Sequence, residues 1–181
     1  MRAAVCAVAV LAATALAGCS SSDNAPTADP SPGTSAAAVG WSPCDGVDAA
    51  TVSAYAGEEL TESTGTADQP RCTFTPVEKG GPVFDVNFLW FDGGLTEALD
   101  SMGKVPGTAT DIDVPGADAA RLVVHARRPA VFVTGFVQSG GLVQSVNALQ
   151  LRPYDEQSVV ATTTKLLAAL VRAAPAGSTS P

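Results

Sequence analysis

The stretch ARLVVHARRPAVFVTGFVQSGGLVQSVNALQL, residues 120–151, decides the fold. It holds three runs rich in valine, leucine and phenylalanine, at residues 120–126, 130–137 and 142–151, which predict three β-strands. Arg127-Arg128-Pro129 and Ser139-Gly140-Gly141 separate the runs and have the composition of hairpin turns. Because connections this short join only antiparallel neighbours, the stretch predicts an antiparallel meander.

Two more strands are predicted before this stretch. Residues 83–91, VFDVNFLWF, alternate with period two, so one face is apolar and the other is partly wet. The apolar face carries Phe84, Val86, Phe88 and Trp90, and the wet face carries Asp85 and Asn87. A short strand is predicted at residues 71–76, and the intervening KGGP, residues 79–82, predicts a hairpin between the two strands.

Three helices complete the pattern, at residues 48–57, 95–102 and 155–173. The last is the longest, and its apolar stripe repeats every three or four residues: Val159, Val160, Thr163, Leu166, Leu167, Leu170 and Val171. Residues 104–118 contain two prolines and predict a loop with room for an edge strand. The expected fold is an α+β sandwich, in which an antiparallel sheet of about five strands packs against the long C-terminal helix.

The N-terminus reads as an export signal. Arg2 is followed by an almost wholly apolar run that is too short to span a bilayer and ends at LAGC, residues 16–19. LAGC is similar to a bacterial lipobox, in which the cysteine thiol receives lipid after cleavage, so Cys19 is the predicted lipidation site. Ala15-Leu16-Ala17 also satisfies the A-x-A rule, and ordinary secretion is the alternative.

These features divide the chain into four parts. Residues 1–18 are the predicted lipoprotein signal peptide, and residues 19–40 are the lipidated cysteine and a Ser/Pro/Ala-rich tether that cannot bury enough apolar surface to fold. Residues 41–174 are long enough for a single globular domain with a core of its own. Residues 175–181 are a predicted disordered tail.

The charge is strongly negative and unevenly distributed. The formal net charge is −8, and residues 41–118 carry 14 acidic and 3 basic side chains, against 2 and 6 in residues 119–174. An acidic surface excludes nucleic acid as a partner and disfavours tight binding to anionic headgroups. The two halves can simply neutralise one another; the alternative is an anionic-ligand site built from Arg121, Arg127, Arg128 and Arg152.

Two of the four cysteines remain in the predicted domain. In an exported chain, the even pair Cys44 and Cys72 is expected to form a disulfide. The alternative is a zinc site, but His125 is the only other soft ligand and zinc takes four. No metal site is therefore predicted.

Other motifs give no catalytic or cofactor site. Residues 111–122, DIDVPGADAARL, begin like a calcium loop but have leucine at position twelve, where a glutamate is required. His125 alternates onto the strand face that carries Arg121, Val123 and Arg127, so it is predicted to be a half-exposed strand residue. A catalytic base would need a nucleophile and an orienting partner, and none can be paired with it from the sequence. A hydrolase would have to use His125 or an acid pair such as Asp111 and Asp113.

The lipobox, the tether, SPCDGVDAATVSAYAG, RCTF and DVPGADAARLVV together resemble an actinobacterial family of cell-envelope lipoproteins, domain of unknown function 3558. The matching positions are Pro43-Cys44, Cys72 with Phe74, and residues 116–120 before a strand. Members typically have tryptophan after the second cysteine, and Phe74 departs from that pattern. The resemblance implies an envelope location, an α/β sandwich and a Cys44–Cys72 bridge, and it brings no catalytic residues and no cofactor.

The expected function follows from these observations. The leading hypothesis is a non-enzymatic lipoprotein, anchored to the cell membrane on its extracytoplasmic face, that binds a partner protein of the envelope or a small ligand. The first alternative is a lipid or glycolipid carrier with an apolar cavity between the closing helix and the sheet. The second is an unrecognised hydrolase.

Overall fold

A computed structural model describes residues 41–66 and 69–176. The predicted signal peptide, Cys19, the predicted tether and the last five residues lie outside this range, so what the sequence indicates for them remains a prediction. The described elements are, in chain order, α1 (Ala49–Ala56), β1 (Leu60–Thr66), β2 (Gln69–Pro76), β3 (Val83–Trp90), α2 (Gly94–Met102), β4 (Thr108–Asp111), β5 (Ala119–Arg127), β6 (Ala130–Ser139), β7 (Leu142–Leu151) and α3 (Glu156–Ala173).

The seven strands form one antiparallel sheet in the order β1-β2-β3-β7-β6-β5-β4. Two meanders, β1 to β3 and β4 to β7, meet where β3 pairs with β7 along its whole length, from Val83 opposite Leu149 to Trp90 opposite Leu142. The predicted hairpins β2–β3, β5–β6 and β6–β7 are all confirmed.

α3 packs on one face of the sheet and closes the main core. Its stripe buries Leu166, Leu167 and Leu170 to 1% exposure or less, against Val133 and Val146 at 0%. Asp155 caps the helix, since its carboxylate accepts from the Ser158 N–H at 3.2 Å. The α+β sandwich expected from the apolar stripe is confirmed.

α1 and the disulfide close one side of this core. The Asp48 carboxylate accepts from the Thr51 N–H at 2.7 Å, and Gly57 ends the helix in the left-handed region at φ +75°. Cys44 and Cys72 form the expected disulfide, which ties the segment before α1 to β2. Cys72 is fully buried, and Cys44 packs against the same core.

The expected strand count of five was low. β1 was not predicted because its sequence, LTESTGT, is polar and all but its first residue lie outside the core. β4, TATD, is fully exposed and falls in the segment that was predicted to be a loop with room for an edge strand. Both strands lie at the edges of the sheet, and each pairs with one neighbouring strand. Backbone hydrogen bonds to that neighbour keep the strand in place even though it has no apolar face. No helix within residues 41–66 and 69–176 is long and apolar enough to cross a membrane.

Candidate functional site

The second face of the sheet, opposite α3, is only partly covered; we call it the open face. α2 packs over one end of it and forms a smaller cluster in which Leu95, Ala98 and Leu99 contact Val123, Phe136 and Val143. The other end has no covering element in the described part of the chain. Phe132 and Leu151 are 46% and 56% exposed there, which is unusual for side chains of this size.

A groove lies on this open face between β5, β6 and the loop after α2. Its lining is Val105, Pro106, Val123, His125, Phe132 and Thr134, and its volume is about 310 Å³. The strand register builds its floor, because Val123 pairs with Thr134 and His125 pairs with Phe132. The rings of His125 and Phe132 are 6.3 Å apart.

The loop before β4 forms the outer wall of the groove, with Val105 38% exposed. Gly107 allows this loop to approach β5, since a β-carbon at that residue would lie 2.6 Å from the Val124 carbonyl oxygen. Gly107 also has a backbone φ of +137°, which residues other than glycine rarely adopt. A smaller hollow of about 200 Å³ shares Val105 and Val123 with the groove and extends it toward α2.

A polar row crosses the open face beside the groove. Thr73 donates to one carboxylate oxygen of Asp85 at 2.7 Å, and Asn87 donates to the other at 2.8 Å. Thr134 donates to the side-chain oxygen of Asn147 at 3.2 Å. The wet face expected from Asp85 and Asn87 is confirmed, and its side chains bond mainly to one another.

The two ends of β5 differ in charge. Near α2, Arg121 donates from Nε to Asp111 at 2.7 Å, and this bond lowers the pKa of Asp111 from its usual value. The hydrogen bond to Asp111 raises the pKa of Arg121, and the charges of Asp111 and Asp100 raise it further. At the other end, Arg127 and Arg128 are exposed and form no ion pair among residues 41–66 and 69–176.

The four arginines singled out in the sequence are therefore only partly brought together. Arg152 follows β7 and lies near the β5–β6 turn, since its N–H donates to the Pro129 carbonyl at 2.9 Å. Its guanidinium stands 5.9 Å from the Tyr154 ring. Arg121 lies six residues from Arg127, or about 20 Å along the strand, and is occupied by Asp111.

The candidate catalytic groups are not assembled into a site. His125 has no hydrogen bond to a hydroxyl, thiol or carboxyl group within the part of the chain that the structure describes, and it sits beside Phe132 as a half-buried strand residue. The carboxylate of Asp111 is engaged by Arg121, and residues 111–122 hold the end of β4, a turn and the start of β5. Among the described residues, no three His, Cys, Asp or Glu side chains are grouped as metal ligands would be.

An aromatic cluster at the opposite end of the sheet was not predicted as a unit. The Trp41 ring lies 5.0 Å from Phe88 and 6.4 Å from Trp90, and its indole N–H donates to the Ala173 carbonyl at 3.4 Å. The indole nitrogen of Trp90 and the amide oxygen of Gln144 are buried without a hydrogen-bond partner. This cluster lies at the end of α3, beside Ala173.

A wider hollow of about 460 Å³ lies at the start of α3, lined by Arg152, Pro153 and Tyr154. Its described walls come from three consecutive residues. The groove is the better candidate, because three separate elements converge on it and its lining is mainly apolar with two polar groups, as in small-molecule sites.

Comparison with known proteins returned no match: no family model fits the chain, and no curated protein or solved structure is significantly similar to it.

Proposed function

We propose that the protein is a lipoprotein, anchored to the cell membrane through Cys19 on the extracytoplasmic face, whose domain binds a small ligand in the groove without catalysing a reaction. The N-terminal LAGC pattern, its resemblance to the actinobacterial lipoprotein family and the paired cysteines support the location. One observation carries the binding function: Phe132, Val105 and Val123 form an uncovered apolar groove on the open face.

A carrier role is compatible with the groove on the open face. The alternative of a lipid cavity between α3 and the sheet would need space beneath Leu166, Leu167 and Leu170, and these side chains are packed against β6 and β7. A lipid ligand would therefore occupy the open face.

An envelope protein is the second candidate partner. Leu151 and Phe132 lie on adjacent strands and face the same side, because Phe132 pairs with Leu149, two residues before Leu151. The exposed apolar surface therefore extends past the groove to Leu151, and an extended exposed apolar surface is typical of a protein contact.

The anchor is tested by detergent phase partition in an actinobacterial host. The wild-type protein is expected in the detergent phase and Cys19→Ser in the aqueous phase, because acyl chains supply about 0.8 kcal/mol per buried methylene. Cys6→Ser is the matched control and should remain in the detergent phase. Recovery of the wild-type protein in the aqueous phase would show that the anchor is absent.

The groove is tested by native mass spectrometry of protein purified without detergent. We expect a co-purifying small molecule that is lost in Phe132→Ser. Leu89→Ser is the control, since Leu89 is 41% exposed and lies on β3, away from the groove. If Phe132→Ser still carries the co-purifying molecule, that molecule binds outside the groove.

A further inference from the structure

The two ends of the groove differ in the charged side chains that lie beside them. At the α2 end, Arg121 is paired with Asp111, and the hollow that Arg121 lines is also lined by Lys104 and Asp100. At the other end, Arg127 follows His125 by two residues on the same strand, so both side chains point to the open face. Arg128 adds a second exposed cation at the adjacent turn.

The first acidic residues that follow this cationic end in the chain belong to the start of α3, on the opposite face of the sheet. Asp155 uses its carboxylate to cap that helix, and Glu156 lies in the first turn, where the helix dipole favours a negative charge. Neither forms an ion pair with Arg127 or Arg128. Arg127 and Arg128 are therefore two adjacent exposed cations beside the exposed apolar side chains of Phe132 and Leu151.

The apolar part of the groove limits the size of its occupant. Its volume of about 310 Å³ lies at the lower end of small-molecule sites, and it continues past Val123 into the hollow beside Leu99 and Phe136. The result is a narrow apolar track along β5, with two exposed arginines at one end and charges of both signs, Lys104, Arg121 and Asp100, at the other.

We propose that the groove binds a single-chain anionic amphiphile, such as a fatty carboxylate, with its head group at Arg127 and its chain against Phe132 and Val123. This inference rests on the proposed binding function and names the ligand class for the same groove. Arg127 and Arg128 supply the charge complementarity. At the α2 end, Arg121 is paired with Asp111, and Lys104 shares its hollow with Asp100, so that end offers an anion no comparable excess of positive charge.

The test is calorimetric titration of the chain beginning at Ser20, which contains every described helix and strand and the disulfide. The probes are decanoate and decanol, which share a chain length and differ in charge. We expect decanoate to bind more tightly. Arg127→Gln should weaken decanoate by about fivefold and leave decanol unchanged, because an exposed ion pair contributes up to about 1 kcal/mol.

Two variants complete the design. Arg172→Gln removes an equal charge from the last turn of α3 and should leave both affinities unchanged. Phe132→Ser should weaken both probes, and its exposure means that the fold survives the change.

The outcomes separate the inference from the function on which it rests. If decanoate and decanol bind with equal affinity, and Arg127→Gln changes neither affinity, the proposal of an anionic ligand is overturned. The groove would still be a binding site. If neither probe binds, the proposal that the groove binds a small ligand is contradicted. Association with phosphatidylglycerol vesicles in the absence of monomer binding would assign the face to a bilayer and overturn the single-chain proposal.

Discussion

Gly135 of β6 lies directly beneath Leu167 of α3, so closely that a β-carbon at residue 135 would stand 2.8 Å from Leu167 Cδ1. Thr163, one turn earlier on the helix, closes the same space from the other side, with its methyl carbon 2.9 Å from that position. The missing side chain of one residue therefore lets α3 pack against the centre of the sheet. The same contact fills the space between α3 and β6 at this point, and the open face is the candidate surface for a ligand.

The first prediction concerns this contact. Gly135→Ala should lower the free energy of unfolding by about 1–3 kcal/mol, because α3 would have to move or its side chains leave their preferred rotamers. Urea denaturation measures the change. Thr110→Ala, on exposed β4, is the control and should shift stability by no more than about 0.5 kcal/mol. An unchanged or raised stability in Gly135→Ala would show that the helix is not in contact at this point.

Leu167 gives a second prediction. Leu167→Ala should cost about 2–5 kcal/mol as a cavity opens in the core. The exposed Leu151→Ala, a chemically identical change, should cost less than about 0.5 kcal/mol. In the double variant, Gly135→Ala should cost less than it does alone, since the leucine it would meet is gone. Additive effects would contradict the contact.

Much of the fold could be predicted from periodicity alone. α3 and the three C-terminal strands have apolar residues at helical or strand spacing, and their predicted bounds agree with the structure to within about two residues. The edge strands β1 and β4 could not be predicted in this way. Residues such as Glu62 and Thr110 face solvent and leave no apolar pattern, so pairing to a neighbour decides their structure.

The groove could not be predicted, because it depends on the strand order and on where α2 returns to the sheet. His125 was expected to be half-exposed on the face of Arg121 and Arg127, and it is. Its neighbour Phe132 comes from another strand, and Val105 comes from the loop after α2. The close approach of Gly107 to β5 is the one feature with a trace in the local sequence, where a glycine stands between a proline and an exposed strand.

The disulfide yields a third prediction. Cys44→Ser combined with Cys72→Ser should lower the free energy of unfolding by about 2–5 kcal/mol, because the bridge restricts the unfolded chain. Thiol titration of the denatured chain beginning at Ser20 should detect free thiols only after reduction. Thiols that react before reduction would mean that the pair is open.

The fourth prediction concerns the Asp111–Arg121 pair. The hydrogen bond from Arg121 should hold the pKa of Asp111 below its ordinary value of 3.8. The stabilisation is present above that value and is lost as pH falls through the lowered pKa of the folded state. Asp111 is 76% exposed, so the effect is best measured on the residue itself by NMR titration. Arg121→Gln should return the pKa toward 3.8, while Arg127→Gln should leave it unchanged; the reverse pattern would contradict the pairing.

The location of the binding site is tested most directly by amide chemical-shift mapping of the chain beginning at Ser20 during titration with decanoate. We expect the largest shifts on Val105, Val123, His125, Phe132 and Thr134, with the amides of α3 undisturbed. Shifts concentrated on α3 and the strand residues beneath it, such as Leu167 and Val146, would place the ligand in the core and would show that the groove is not the binding site.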